Sequence, residues 1–567
     1  MIKRLYMPLV VALVAVLTSC SNKMGELSSD YFTTNPQVLE AIGGKVPVTI
    51  NGKFPEKYFN KKAVVTVTPV LKWNGGQAVG APATFQGEKV EGNDQTINYR
   101  LGGSYTMKTS FDYVPEMAKS ELYLQFTAKV GKKTITIPEV KVADGVISTA
   151  ELVGNTLRSA TPANAEDAFQ RVIKQAKEAK ILFLIQQANV RASELKNAEM
   201  QAFTDAMADI KADEENKVLS NVEVTAYASP DGGYELNEQL AGNRETNAAR
   251  YVEGQLKKAK LEGNVDTRYT AEDWDGFKEL VEKSNLQDKE VILRVLSMYT
   301  DPERREAEIK NISSVYGTLA DEILPQLRRA RLTLNYELIG RSDDEILSTY
   351  ASAPKELSVE EMLYAATLVE EVSDKEAIYR KVAEIYPSDY RAFNNLAELA
   401  YKKGDLDTAL SYLQKAASIN PNAAEVNTNL GLVALAKGDK TKAETYFAKG
   451  SGAKTLSESL GNLYIAQGQY DRAVSSFGES KTNSAALAQI LAKDYNKAKS
   501  TLEAIATPDA YTDYLMAVIG ARTNNTSLLV SSLAKAVKQE PSLAKKALTD
   551  LEFAKYVTNA DFLNALK

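Results

Sequence analysis

A set of small residues returns at fixed spacing along the last third of the chain, and no other feature restricts the fold as much. Leu396-Ala397, Gly404 and Ala409 recur as Leu430-Gly431, Gly438 and Ala443, each 34 residues later, and again as Leu460-Gly461, Gly468 and Ala473, each 30 later. Pro387 and Pro421 are also 34 apart. Small residues let paired helices approach closely, glycine allows the turn between them, and proline falls between one pair and the next. Such a period predicts a stack of helix pairs, each burying its apolar face against its neighbours.

This pattern resembles the tetratricopeptide repeat (TPR). Degenerate copies flank it, with Ala377 upstream and Ala498 and Pro541 downstream, so the array is expected over residues 357–567. The resemblance implies an α-helical solenoid that binds a protein partner, whose identity is set by groove residues that no spacing rule picks out.

At 567 residues the chain exceeds what one hydrophobic core serves, and several domains are expected. From Lys45 to about Val146 the apolar period is two: Val46, Val48 and Ile50 alternate with polar or turn residues, as do Leu122, Leu124 and Phe126. Asn74-Gly75-Gly76 and Gly131-Lys132-Lys133 separate such runs as turn signals, predicting an antiparallel β-sandwich over 38–150 that acts as a spacer or docking module. Composition then shifts to Ala, Glu, Gln and Lys, and Phe169, Val172, Ile173 and Ala176 give a helical stripe. Residues 151–179 are therefore expected to be a helical linker.

In the middle of the chain Ile181-Leu182-Phe183-Leu184, Tyr227-Ala228-Ser229-Pro230-Asp231-Gly232-Gly233 and Asn237-x-x-Leu240-x-x-x-Arg244 follow one another at strand, loop and helix spacing. A strand, a glycine-containing turn and a helix start place free backbone N–H groups around a concave loop suited to an anion. Seven residues make close to two helical turns, so Asn237 and Arg244 share one face. The trio resembles the OmpA-like peptidoglycan-binding domain, over residues 180–340, with a helical insertion at about 273–325 and a linker at 341–356. The resemblance implies an α/β fold and, as ligand, the diaminopimelate of the peptidoglycan stem peptide, held by an Arg and an Asp. At the family's spacing the Arg is Arg244 and the Asn is Asn237, but the Asp position holds Ser229. Asp231, two residues further into the turn, is the acid nearest to hand, and Arg328 and Arg329 resemble arginines near the family's final strand. The expected function is that of a non-enzymatic envelope lipoprotein that tethers the outer membrane to peptidoglycan through this domain and binds a protein partner through the array; the alternative is a TPR assembly scaffold or periplasmic chaperone whose OmpA-like domain has lost diaminopimelate binding.

The amino terminus reads as a signal peptide over residues 1–19, with Lys3 and Arg4 before an apolar run from Met7 to Leu17. Leu17-Thr18-Ser19-Cys20 resembles the bacterial lipobox, which implies acylation of Cys20, the only cysteine, and a polar tether over 20–37 with a reach of roughly 20 to 25 Å. Ser21 and Asn22 follow, with no acidic run, so the expected location is the outer membrane, lipid-anchored and facing the periplasm. The chain contains no histidine, which excludes Ser-His-Asp and Cys-His nucleophiles and His-based metal sites. No phosphate-binding glycine loop or nucleophile elbow is present, and the acidic runs read as solvated faces. No catalytic residue, metal or cofactor is expected. A net charge of -6 leaves no basic surplus for nucleic acid.

Overall fold

The computed structural model describes residues 24–286, 288–311 and 313–567. Cys20, the signal segment and the first tether residues lie outside these. The chain divides into two units, one made of the residues up to Glu166 with Glu370–Lys567, the other of Asp167–Val369.

The first unit begins with a strand-rich region: β1 (Phe32–Asn35), β2 (Val38–Glu40), β3 (Lys45–Phe54), β4 (Ala63–Trp73), β5 (Gly76–Val79), β6 (Ala83–Gly87), β7 (Gln95–Ile97), β8 (Gly103–Asp112), β9 (Ser120–Val130) and β10 (Lys133–Ile147). They form a three-stranded sheet, β1-β3-β8, and a seven-stranded sheet, β2-β10-β9-β4-β6-β7 with β5 on β4. The period of two places Val46, Val48 and Ile50 of β3 and Leu122, Leu124 and Phe126 of β9 in one shared core. Two expectations are corrected. β2–β10 and β6–β7 pair in parallel, so the region is not wholly antiparallel. Met24 and Leu27 are buried in the same core and β1 pairs with β3, so the stretch expected to be tether is folded from Met24 onward.

The array follows the predicted repeat. Helices Tyr390–Lys402 and Leu406–Ile419, Ala424–Ala436 and Lys440–Phe447, and Leu456–Ala466 and Tyr470–Phe477 form successive pairs, continued by Asn483–Leu491 with Tyr495–Glu503 and Ala510–Arg522 with Thr526–Gln539. Gly404, Gly438 and Gly468 sit between the helices of a pair with φ of +80°, +84° and +76°, backbone that an L side chain rarely adopts. Gly431 and Gly461 serve close approach instead: a Cβ there would fall 2.3 Å from the Phe447 ring and 2.6 Å from the Phe477 ring. The start of the array is also corrected. Met362, Leu363 and Ala365 belong to the other unit, and the array opens with helix Val372–Ile385.

Between the strand-rich region and the array the expected helical linker is absent. Residues 149–159 form short helical turns, including α1 (Val153–Thr156), residues 160–170 are extended, and β11 (Val172–Leu182) follows. Lys174, Gln175, Ala176 and Lys177 favour helix in isolation, yet β11 pairs in register along its whole length with β14 (Arg329–Ile339), and that pairing overrides propensity.

The second unit is a four-stranded sheet in the order β11-β14-β12-β13, with β12 (Lys217–Tyr227) and β13 (Asn264–Thr270) parallel and the other pairs antiparallel. Helices α2 (Ala198–Ala212) and α3 (Tyr234–Ala259) bury Phe203, Met207, Ala248 and Val252 against Ile181, Val222, Val224 and Leu332. The strand expected at Ile181-Leu182-Phe183-Leu184 is therefore the end of β11, which stops at Leu182. α4 (Trp274–Lys283) and the short helices that follow it up to Leu327 have a small core of their own, including Phe277, Ile292 and Leu319. The linker expected at 341–356 contains helix Asp343–Ser352, begun by a capping box between Ser342 and Glu345.

Candidate functional site

Residues 149–166 run along the inner helices of the array, and the polar groups that meet them repeat with the array. Asn395 accepts from the Ala165 backbone N–H through Oδ1 at 2.9 Å and donates to the Ala165 carbonyl through Nδ2 at 3.0 Å. Asn429, one 34-residue period on, does the same to Ala163, at 2.7 and 2.8 Å. Asn394 adds a donation to the Ala163 carbonyl at 2.9 Å and is tied to its neighbours, receiving from Asn429 at 3.0 Å and giving to Asn395 at 3.1 Å. A carboxamide carries one acceptor and a donor pair side by side, so it can answer both polar groups of one peptide residue. Two residues of extended chain advance about 7 Å, close to the roughly 8 to 10 Å between packed helices, so alternate residues meet successive repeats. All three asparagines are at most 3% exposed, and unpaired amides there would carry a full desolvation cost.

The remaining contacts extend the track toward the far end of the array. Asn164 donates to Glu398 at 2.7 Å, Tyr401 donates to the Leu157 carbonyl at 2.9 Å, Ser484 donates to Thr156 at 2.9 Å, and Asn155 donates to Tyr511 at 2.7 Å. Thr149 bonds to Glu552. The connector thus runs antiparallel to the array, from its last helices at Thr149 to its first pair at Ala165. Leu152, Leu157 and Ala160 are buried with array residues along the way. The groove expected to meet a partner is filled by the protein's own chain. Asn395 and Asn429 were not singled out from sequence, although each precedes the repeat leucine (Leu396, Leu430) at the offset that defined the repeat.

The turn after β12 gathers all four residues expected to bind diaminopimelate, but directs them at protein groups. Arg244, 1% exposed, donates to the carbonyls of Gln187 (3.0 Å), Tyr227 (2.9 Å) and Leu184 (3.4 Å). Burial, and then the positive Arg328 nearby, push its pKa down to about 10. Asn237 donates to the Gly232 carbonyl at 2.8 Å, closing its own turn. Ser229, standing where an acid was expected, donates to Asp231 and accepts from Arg328 Nε at 3.1 Å, and Arg328 Nη2 pairs with Asp231 at 2.8 Å. The cavity beside Asp231, walled by Pro230, Trp274, Phe277, Tyr316 and Leu324, measures about 10 Å³. That is room for about one water and not for an amino-acid side chain. Strand alternation sends Arg329 elsewhere: it pairs with Asp273 at 2.7 Å.

Residues 375–424 and 394–454, and separately 455–483, match models of the tetratricopeptide repeat. The C-terminal region is thus a TPR array, the class of helical repeat whose role is protein–protein interaction. Among curated proteins, none matches the chain in sequence. Among solved structures, a tetratricopeptide repeat protein from Parabacteroides merdae is similar at 15% identity and a TM-score of 0.29, covering 40% of this chain and 90% of its own. PilF of Pseudomonas aeruginosa is similar at 16% identity and a TM-score of 0.27, covering 38% and 99%. YrrB, a TPR protein described as having an unusual peptide-binding site, is similar at 23% identity and a TM-score of 0.22, covering 30% and 97%.

Proposed function

We propose that the protein is a non-enzymatic scaffold of a Gram-negative envelope, held at the periplasmic face of the outer membrane through acylated Cys20. Its OmpA-like middle domain keeps that family's turn and helix but no longer takes diaminopimelate. The observation that carries this reading is the pair Asn395 and Asn429, which commit the inner face of the array to a peptide backbone. Because that backbone is the protein's own connector, the array organises its own chain first and meets a protein partner through surfaces the connector leaves free. The saturation of Arg244 by three carbonyls supports the loss of the wall ligand, since a bound carboxylate would have to compete with bonds already made.

A tether to peptidoglycan is the competing reading, and co-sedimentation with purified sacculi separates the two. The scaffold reading expects the full-length chain to stay in the supernatant, with Arg244→Lys behaving alike. Retention that free stem peptide competes away overturns the scaffold reading in favour of the tether.

A further inference from the structure

The sheet of the second unit buries one face under α2 and α3 and leaves the other polar. On that polar face strand pairing aligns charges. Lys180 of β11 lies directly opposite Arg331 of β14, Arg331 lies opposite Thr225 of β12, and Thr225 is paired with Arg268 of β13. Like charges directly opposite on neighbouring strands destabilise a sheet, so the juxtaposition of Lys180 and Arg331 calls for a compensating negative group.

Three carboxylates, Glu178, Glu199 and Glu279, line the same space, but none is fixed on Arg331 at ion-pair distance. Among the described residues Arg331 makes no ion pair, and Lys180 has only a 3.5 Å contact with Glu199, between side chains 51% and 52% exposed. A pair that open to solvent holds neither partner firmly. Glu279, which faces the same space from α4, pairs with Lys283 between exposed side chains and also lies in the field of Arg331 and Arg329. Arg329, one row along the sheet, is fixed in place: it pairs with Asp273, donates to the Gln326 carbonyl at 3.0 Å, and lies 4.9 Å over the Tyr227 ring. Gly276 permits that arrangement, because a Cβ there would fall 2.3 Å from Asp273 Oδ2 and 2.7 Å from Arg329 Nη2.

Lys180, Arg329 and Arg331, with Gly276 and Glu279 of α4, line one cleft of about 430 Å³ between the polar end of the sheet and α4. Its volume falls within the range of small-molecule sites, about 300 to 1,000 Å³. It is separate from the turn around Arg244, being lined by none of Ser229, Asp231, Asn237 or Arg244. We propose that this cleft binds a small organic anion whose carboxylate or phosphate oxygens bridge Lys180 and Arg331, with the immobilised Arg329 forming the wall behind them. The neighbouring Glu178, Glu199 and Glu279 repel a polyanion, which restricts the ligand to a compact one.

Isothermal titration calorimetry of the full-length chain at fixed ionic strength tests this, with sodium glutarate as the carboxylate probe and inorganic phosphate as the other. Saturable binding of at least one probe is expected, and the arm that saturates identifies the oxygen chemistry. Arg331→Gln and Lys180→Gln, both at exposed positions, are each expected to weaken it about tenfold or more, the loss that goes with one charge-assisted hydrogen bond. Arg100→Gln, at an exposed position in the strand-rich region, is expected to leave it unchanged. Absence of saturation by both probes, or wild-type affinity in both Arg331→Gln and Lys180→Gln, overturns the proposal.

Discussion

The inner groove of the array and the turn around Arg244 both bring buried polar side chains to backbone carbonyls, yet they are built on different logic. In the groove, neutral amides repeat with the fold and hold a strap of the chain at alternate residues. At the turn, one arginine donates to three carbonyls of its own unit, and a second arginine neutralises Asp231. A repeated neutral clamp satisfies a peptide without placing charge in the interior. A single buried guanidinium satisfies as many acceptors but bears a desolvation cost, visible in its lowered pKa. The groove should therefore contribute more to stability, and the turn should tolerate more change.

The largest effect is expected from removing the clamps. Asn395→Ala with Asn429→Ala strands the N–H groups of Ala163 and Ala165 and the Ala165 carbonyl, residues that are 2% exposed, and leaves the Ala163 carbonyl with Asn394 alone. At about 1 to 3 kcal/mol for each buried group left unpaired, the double variant should lose several kcal/mol in urea denaturation. It should also become cleavable by protease within residues 157–166. A double variant as stable and as resistant as the parent would show that the strap is held by its buried Leu152 and Leu157 alone.

Arg244→Met comes next. It strands three carbonyls but removes a buried charge of matching length, and the two effects oppose each other. The expected loss is about 1 to 2 kcal/mol, smaller than that of the double asparagine variant, in the same denaturation experiment. A larger loss from Arg244→Met than from the double variant would reverse the comparison.

The two regions also differ in how much the sequence disclosed. The array was legible because Gly404, Gly438 and Gly468 carry one backbone requirement to three places, and repetition separates such a signal from chance. The strap was not, because its recognition runs through the backbone: Ala163 and Ala165 present only a methyl, which carries no trace of the amides that meet the chain there. β11 reads as helix because Lys174, Gln175, Ala176 and Lys177 favour helix locally, while its partners on β14, from Arg329 opposite Leu182 to Ile339 opposite Val172, lie far along the chain and leave no local trace. At the turn, the positions of Asn237 and Arg244 on one helix face followed from spacing, and both are buried there. What spacing could not supply was the occupant beside Ser229 and Asp231, because Arg328 arrives from a bend just ahead of β14, far off in sequence.

The smallest effect, and the finest test of that occupant, is Ser229→Asp, which restores the acid that the OmpA-like pattern expects. If the turn were a site lacking only its acid, the variant would gain binding to a diaminopimelate-containing stem peptide. With Arg328 bonded to both Ser229 and Asp231, a new carboxylate at 229 meets an internal guanidinium and a second carboxylate two residues away. Two carboxylates sharing one arginine raise the pKa of one of them, so the variant's folded state holds a proton more tightly than its unfolded state does. Its stability relative to the parent should thus be greatest at acidic pH and be lost as pH rises through that raised pKa. At neutral pH the change should stay within about 1 kcal/mol, because the added pairing with Arg328 offsets the repulsion from Asp231. Thermal unfolding of parent and variant from pH 4 to 8, alongside titration with the stem peptide, reads both quantities. A gain of peptide binding with no change in the pH profile would mean that the new acid faces a ligand and not Arg328.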